Sequence, residues 1–248
     1  MLLFYFVYFN FNLKYIQNIE HYFAYEFIEK KDMTQTITET EQKYVREVYD
    51  NIASHFSATR VRVWKFVKYF LDSKTEQMKG IDIGCGNGKN MLYKPCLDIL
   101  GIDSCQPFVD MCKLKGLKTQ YGDFMDIPSQ SNTFDYAYSI AVFHHFSTED
   151  NRKKSMNEMI RVLKPGGHGM FSVWSVENQQ KEKKVREFSC GDNYVKWTRQ
   201  TDNKDFERYY YVYNYEMIEK FIRLFEDKIG NIKIYNEQGN WVVEFIKF

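Results

Sequence analysis

Proline, glycine and cysteine are all scarce in this 248-residue chain, at 4, 13 and 5 residues. That scarcity excludes collagen-like and low-complexity disordered classes. The cysteines (Cys85, Cys96, Cys105, Cys112 and Cys190) are odd in number and none is spaced C-x-x-C. This argues against a disulfide framework or an intrachain zinc site and for free thiols in a reducing compartment, with no metal expected. A dominant charge is missing too: 34 Lys+Arg against 33 Asp+Glu leave a net +1. Long-range charge therefore does not mark a protein that coats nucleic acid. Long apolar runs are also absent. The run at residues 1–9 (MLLFYFVYF) is interrupted by Asn10 and Asn12, well short of the roughly 18 apolar residues of a spanning helix. It has neither a basic n-region nor a small-residue cleavage site. Residues 1–32 read as an appendage or an upstream start. The expected setting is the cytoplasm, or the nucleus as well, with no membrane.

What is present, 44% hydrophobic and 27% charged residues, suits one soluble globular domain over residues 33–248. Aromatics reach 18%, with 21 Phe and 19 Tyr. They read as compositional bias or as a stacking surface for bases. Thr38 and Glu41 form a capping-box pattern ahead of a helix through Val45, Val48, Tyr49 and Ile52. Residues 60–71 predict a second helix. A short buried strand over 80–83 then runs into a turn containing Gly84, Gly86 and Gly88, which leads to that strand's own helix. Strands over 99–103, 117–121, 134–139 and 168–174 alternate with helices over 107–115 and from Ser147 to Leu163. Residues 176–206 read as an irregular polar insertion. A helix over 215–225 and a hairpin over 231–248 close the chain. The pattern predicts an α/β fold: a mostly parallel sheet with helices on both faces and a terminal antiparallel hairpin.

The strongest local signal is Asp82-x-Gly84-x-Gly86-x-Gly88. Glycines in the turn after a first strand let backbone approach a ligand where side chains would collide. Lys89 stands where a dinucleotide fingerprint needs glycine, and Asn90 breaks a Walker pattern. Asp103, at the end of the second strand, is placed to accept from ribose hydroxyls.

With these residues, the chain resembles the class I S-adenosylmethionine-dependent methyltransferases. The resemblance rests on residues 82–88, Asp103, Gly122 to Phe124, the strand from Asp135, and the LKPGG run at 163–167. It implies a Rossmann-like seven-stranded sheet with an antiparallel last strand. Finer motifs resemble the family that methylates carboxymethyl groups on tRNA wobble uridine. They are YVREVYDNIASHF (44–56), Arg60, Trp64, SIAVFHHFST (139–148), Trp174, DNYVKW (192–197) and RYYYVY (208–213). In the last of these, Tyr211 replaces the expected histidine.

The resemblance implies S-adenosylmethionine as cofactor, held by Tyr49, Arg60, Asp82, Gly84, Gly86, Asn87, Gly88, Asp103, Asp123, Phe124 and Ser139. It implies catalytic roles for His144, His145 and Arg60, and substrate contacts from Trp64, Trp174, Arg208 and Tyr209. The partners it implies are the tRNA anticodon loop and a small zinc-binding activator subunit. Plainer readings stand beside these: Tyr49 and Trp64 as core, the histidines as loop caps, and the basic tract at 181–186 (KEKKVR) as a solvated loop. Two other functions stay open, a small-molecule O- or N-methyltransferase and a non-catalytic binding subunit of the same fold.

Overall fold

The computed structural model describes residues 37–177 and 188–248. The appendage expected over residues 1–32 and the basic tract at 181–186 lie outside the described residues. Among the described residues, no helix is long and apolar enough to cross a membrane.

The central strands are β1 (Lys79–Ile83), β2 (Asp98–Asp103), β4 (Phe134–Ile140) and β5 (Leu163–Trp174). With β3 (Thr119–Tyr121) at one edge they form the parallel part of the sheet. Near-continuous burial of β1 is what a strand covered on both faces requires. The terminal hairpin, β8 (Ile229–Glu237) and β9 (Asn240–Lys247), adds β9 antiparallel to β5. The order is β3-β2-β1-β4-β5-β9-β8, and the seven strands are the number that the resemblance implies.

Side-chain alternation divides the core. Ala137, Phe171, Val173 and Phe245 face α4 (Glu149–Val162) and α5 (Tyr215–Arg223). Tyr136, Tyr138, Met170 and Val242 face α2 (Lys65–Asp72). Helix α3 (Gln106–Leu114) brings Phe108 against Ala53 of α1 (Glu47–Thr59). The predicted capping box forms at Thr38 and leads through a π-helical stretch, Gln42–Arg46, into α1. Glu41 does more than cap. Its carboxylate accepts from Ser147 N at 2.7 Å and from Asn151 Nδ2 at 2.8 Å, which fastens the entering chain to the start of α4.

Three expectations need correction. No α-helix follows the glycine turn; a 3-10 turn, Met91–Tyr93, stands there and ends at Lys94, whose backbone leaves helical space ahead of Pro95. Helix α2 begins at Lys65, since residues 60–64 run as irregular chain. Residues 176–206 are not irregular throughout. β6 (Gly191–Arg199) pairs antiparallel with β7 (Lys204–Val212) as a separate two-stranded sheet. The polar residues that suggested a loop are the outward half of a period-2 alternation in β6.

Gly169 of β5 pairs with Phe245 of β9, and a Cβ there would lie 2.0 Å from the Phe245 ring. The substitution Gly169→Val is expected to destabilise the fold by about 1–3 kcal/mol, as overpacking does. Equilibrium denaturant unfolding measures it.

Candidate active site

Strand order reverses between β1 and β4, and ligands in such sheets bind beyond the carboxyl ends of the strands at that point. A cleft of about 1210 Å³ opens there, lined by Gly84, Gly86, Asp103, Asp123, His144 and Arg208 among others.

The glycine turn forms its floor. Gly84 and Gly86 have φ of 75° and 53°, values that L side chains rarely adopt. A Cβ on Gly86 would meet nothing within 4 Å, so that backbone is bare to the cleft. Gly86 N–H donates to Asp103 Oδ2 at 2.8 Å and Cys105 N–H to Oδ1 at 2.9 Å. Burial nevertheless pushes the Asp103 carboxyl up to about 6, these two N–H groups opposing it. Asp82 lies fully buried beneath the turn, its two oxygens without a hydrogen-bond partner, and burial pushes it up to about 8. An orphaned buried acid, a bare glycine cradle and an acceptor for hydroxyls together suit an adenosyl group with a cationic amino-acid end. The residues present therefore fit S-adenosylmethionine.

One wall comes from the π-helical stretch and α1. Arg46 forms an ion pair with Asp123, and Tyr49 reaches His145 Nε2 at 3.1 Å and Tyr210 Oη at 3.5 Å. Asn87 closes the loop against α1, donating to the Ser57 carbonyl at 3.2 Å and the Arg60 carbonyl at 3.0 Å. Arg60 lies over the rings of Phe56 and Trp197, 5.0 and 5.5 Å from their centroids. Lys89 joins this wall, its amine pulled below the usual value by burial and then by Arg60.

The opposite wall is aromatic. Tyr210 stacks on Trp174 at 4.0 Å with planes 4° apart, and Trp174 also meets Phe188 at 5.3 Å. His145 Nδ1 donates to the Tyr209 carbonyl at 2.8 Å, so its Nε2 accepts from Tyr49 Oη. The Trp174 N–H donates to His144 Nδ1 at 3.1 Å, leaving the His144 proton on Nε2. Burial holds both rings neutral, His145 down to about 3 and His144 well below the ordinary imidazole value.

Arg208, 1% exposed, is the most unusual group in the cleft. Its Nε and Nη2 have no hydrogen-bond partner, and no carboxylate pairs with it among the described residues. It rests on the rings of Trp197 and Tyr210, at 4.7 and 5.2 Å.

The cleft thus gathers Tyr49, Arg60, Trp64, Gly84, Gly86, Asn87, Asp103, Asp123, Phe124, His144, His145, Trp174 and Arg208 from across the chain. It does not gather four other expected residues. Tyr209 is buried on the far side of β7, its hydroxyl donating to Asp192 at 2.6 Å. Neighbours on a strand face opposite ways, so Arg208 and Tyr209 cannot share the cleft. The residue that does is Tyr210, and alternation from Arg208 was the signal for it. Ser139 spends its hydroxyl on the Ile83 carbonyl at 2.9 Å, a strand-to-strand bond. Gly88 faces Leu117 and Cys112, which makes it a packing glycine. Asp82 is beneath the cleft floor. Trp64 lines the cleft while stacking on Phe66 at 5.9 Å, so it is also core. Arg46 and Lys89 carried no sequence signal of their own; the fold alone brings them in.

Known proteins match this arrangement. A family model for a methyltransferase domain matches residues 81–171, the stretch from β1 to β5. A tRNA (carboxymethyluridine(34)-5-O)-methyltransferase of Schizosaccharomyces pombe is 41% identical over 159 residues, 64% of this chain and 69% of that one. A protein of the same name from Arabidopsis thaliana is 43% identical over 141 residues, 57% of this chain and 35% of that one. In the solved complex between the Haloferax volcanii Trm112 methyltransferase activator and a methyltransferase, a chain 18% identical shares the fold. Its TM-score is 0.51, covering 82% of this chain and 97% of that one. At 41% identity and with two thirds of the fission-yeast protein spanned, the chain belongs to the tRNA (carboxymethyluridine(34)-5-O)-methyltransferase family.

Proposed function

We propose that this chain methyl-esterifies the carboxymethyl group of the wobble uridine in a tRNA anticodon, with S-adenosylmethionine as methyl donor. The observation that carries this reading is Arg208: a buried guanidinium with two unpartnered nitrogens, in one cleft with a glycine cradle. A buried cation without an anion is costly, and a planar carboxylate is the group its fork matches.

The donor would lie along Gly84 and Gly86, its ribose hydroxyls on Asp103, its amino-acid end over Asp82 and towards Arg60. When bound it supplies an electrophilic methyl on a sulfonium. The chain's own residues then have a limited task. A carboxylate, with a pKa of about 4, is ionised near pH 7, so no base is needed to generate it. Arg208 holds the carboxylate in place, and the apolar wall of Tyr210 and Trp174 strips it of water. His144 donates from Nε2 to the same acid or its uracil ring. His145, with both nitrogens engaged inside the protein, positions Tyr49 and the β7 backbone and transfers no proton. Both histidine roles are orientation, without proton transfer.

The substrate is a tRNA because the relatives that carry this name act at carboxymethyluridine 34. A zinc-binding activator of the Trm112 type is the proposed partner. Edge strand β3, beside exposed Leu114 (89%) and Tyr121 (51%), is the place it would add a strand. Co-expression with such an activator is expected to raise soluble yield and methyl transfer together; full activity of the isolated chain overturns the partner.

Two variants test the site. Replacing Arg208 with Gln is expected to lower methyl transfer to carboxymethylated tRNA by roughly a hundredfold or more, about 3 kcal/mol. Donor affinity, read by calorimetry, stays within about twofold. Equal transfer by the variant, or transfer to a free metabolite and none to tRNA, overturns the reading. Donor affinity is also expected to fall as pH drops below about 6, where protonation removes the Asp103 acceptor. The loss is at most tenfold per pH unit. Asp103→Asn abolishes that step and binds more weakly at pH 7.5.

A further inference from the structure

The cleft has a basic rim that neither the donor site nor Arg208 uses. Residues 60–68 (RVRVWKFVK) hold four cations and no acid, in a chain whose total is only +1. Val63 and Trp64 pack against the same core cluster as Phe66 and Val67. Those apolar residues pin the segment down and turn the intervening cations outward. Arg62 and Lys65 are exposed, while Lys68 is half-buried with its Nζ 5.3 Å from the Tyr93 ring centroid. Lys65 and Lys68 stand three apart on α2, so they share one face. All three line the cleft that holds Gly86 and Asp103. None of the three joins an ion pair among the described residues. Asp72, the next acid along the chain, is engaged by the Tyr93 hydroxyl at 3.0 Å.

We propose that Arg62, Lys65 and Lys68 form a phosphate ramp that seats the polynucleotide backbone flanking the methylated nucleotide. The inference rests on the tRNA reading above. A carboxymethyl group that reaches the buried Arg208 must come with its base drawn out of the stack. The flanking phosphates then stay at the mouth, where three cations without anionic partners stand. Binding there releases counterions from the RNA, which makes it salt-dependent in proportion to the number of phosphates met. A lone carboxylic-acid metabolite is satisfied by Arg208 and has no contact for a strip of this length.

The test uses the full chain and a tRNA carrying carboxymethyluridine at position 34, with the dissociation constant measured across a salt series. Each single-strand phosphate contact contributes about 0.7 to the slope of log K against log salt. The R62Q/K65Q/K68Q variant is expected to lose about 2 from that slope. Its binding at ~100 mM salt is expected to weaken by roughly tenfold or more. A charge-keeping R62K/K65R/K68R variant retains the slope, and so does K153Q/K154Q/K220Q, which removes three charges outside the cleft. Calorimetric donor binding and a thermal melt establish that each variant is folded. If the triple variant fails to fold, R62Q and K65Q singly are each expected to lower the slope by about 0.7. An unchanged slope in folded variants overturns the ramp, and so does an equal loss in the control outside the cleft. Methyl transfer by the parent chain to the same tRNA, followed in parallel, reports the esterification reading separately. A parent that binds this tRNA with the full slope but transfers no methyl sinks that reading and leaves the ramp standing.

Discussion

The reversal of strand order between β1 and β4 is the constraint on which the rest depends. From β1 the chain moves to β2 on one side, and from β4 to β5 on the other. Their carboxyl-end loops therefore part and leave a crevice that no loop can fill. The bare backbone of Gly86 on one lip, and His144 with His145 on the other, are consequences of that divergence. The π-helical stretch at Gln42–Arg46 then closes the crevice on one flank. It is held by Glu41, which caps its own helix and binds Ser147 and Asn151 at the start of α4.

Electrostatic cost is concentrated in this crevice. A chain with nearly equal numbers of cations and anions still buries Asp82 and Arg208 and half-buries Asp103 at this crevice, none in a salt bridge among the described residues. Burial raises both carboxyls and Arg208 keeps unpartnered nitrogens. Groups held so far from their solution preferences mark places where a ligand completes the charge balance. Asp103 and Arg208 line one cleft, an acid and a cation each without a charged partner among the described residues.

The histidines show how little proton chemistry this site needs. Both are neutral and tied to backbone, and one is satisfied on both ring nitrogens. An ionised nucleophile and a leaving thioether require orientation and dryness. In the proposed reaction, stacked Trp174 and Tyr210 supply both as an apolar wall.

Periodicity determined the parallel sheet, the terminal hairpin and the capped helices, because burial on one face or two leaves a signature of period 2 or 3.6. Local chemistry marked the glycine turn and Asp103, whose roles follow from backbone conformation and strand position within some twenty residues. Tertiary structure alone decided which face of the Arg208 strand meets the cleft, since a tyrosine run looks the same on both faces; with Arg208 placed there, alternation carries Tyr210 with it. It also decided that Glu41 ties the first helix to α4, that Arg46 pairs with Asp123, and that Arg208 is buried without an anion. Each of these joins residues far apart in the chain. Contacts of that kind are set by how layers pack, and nothing in the neighbouring residues encodes them.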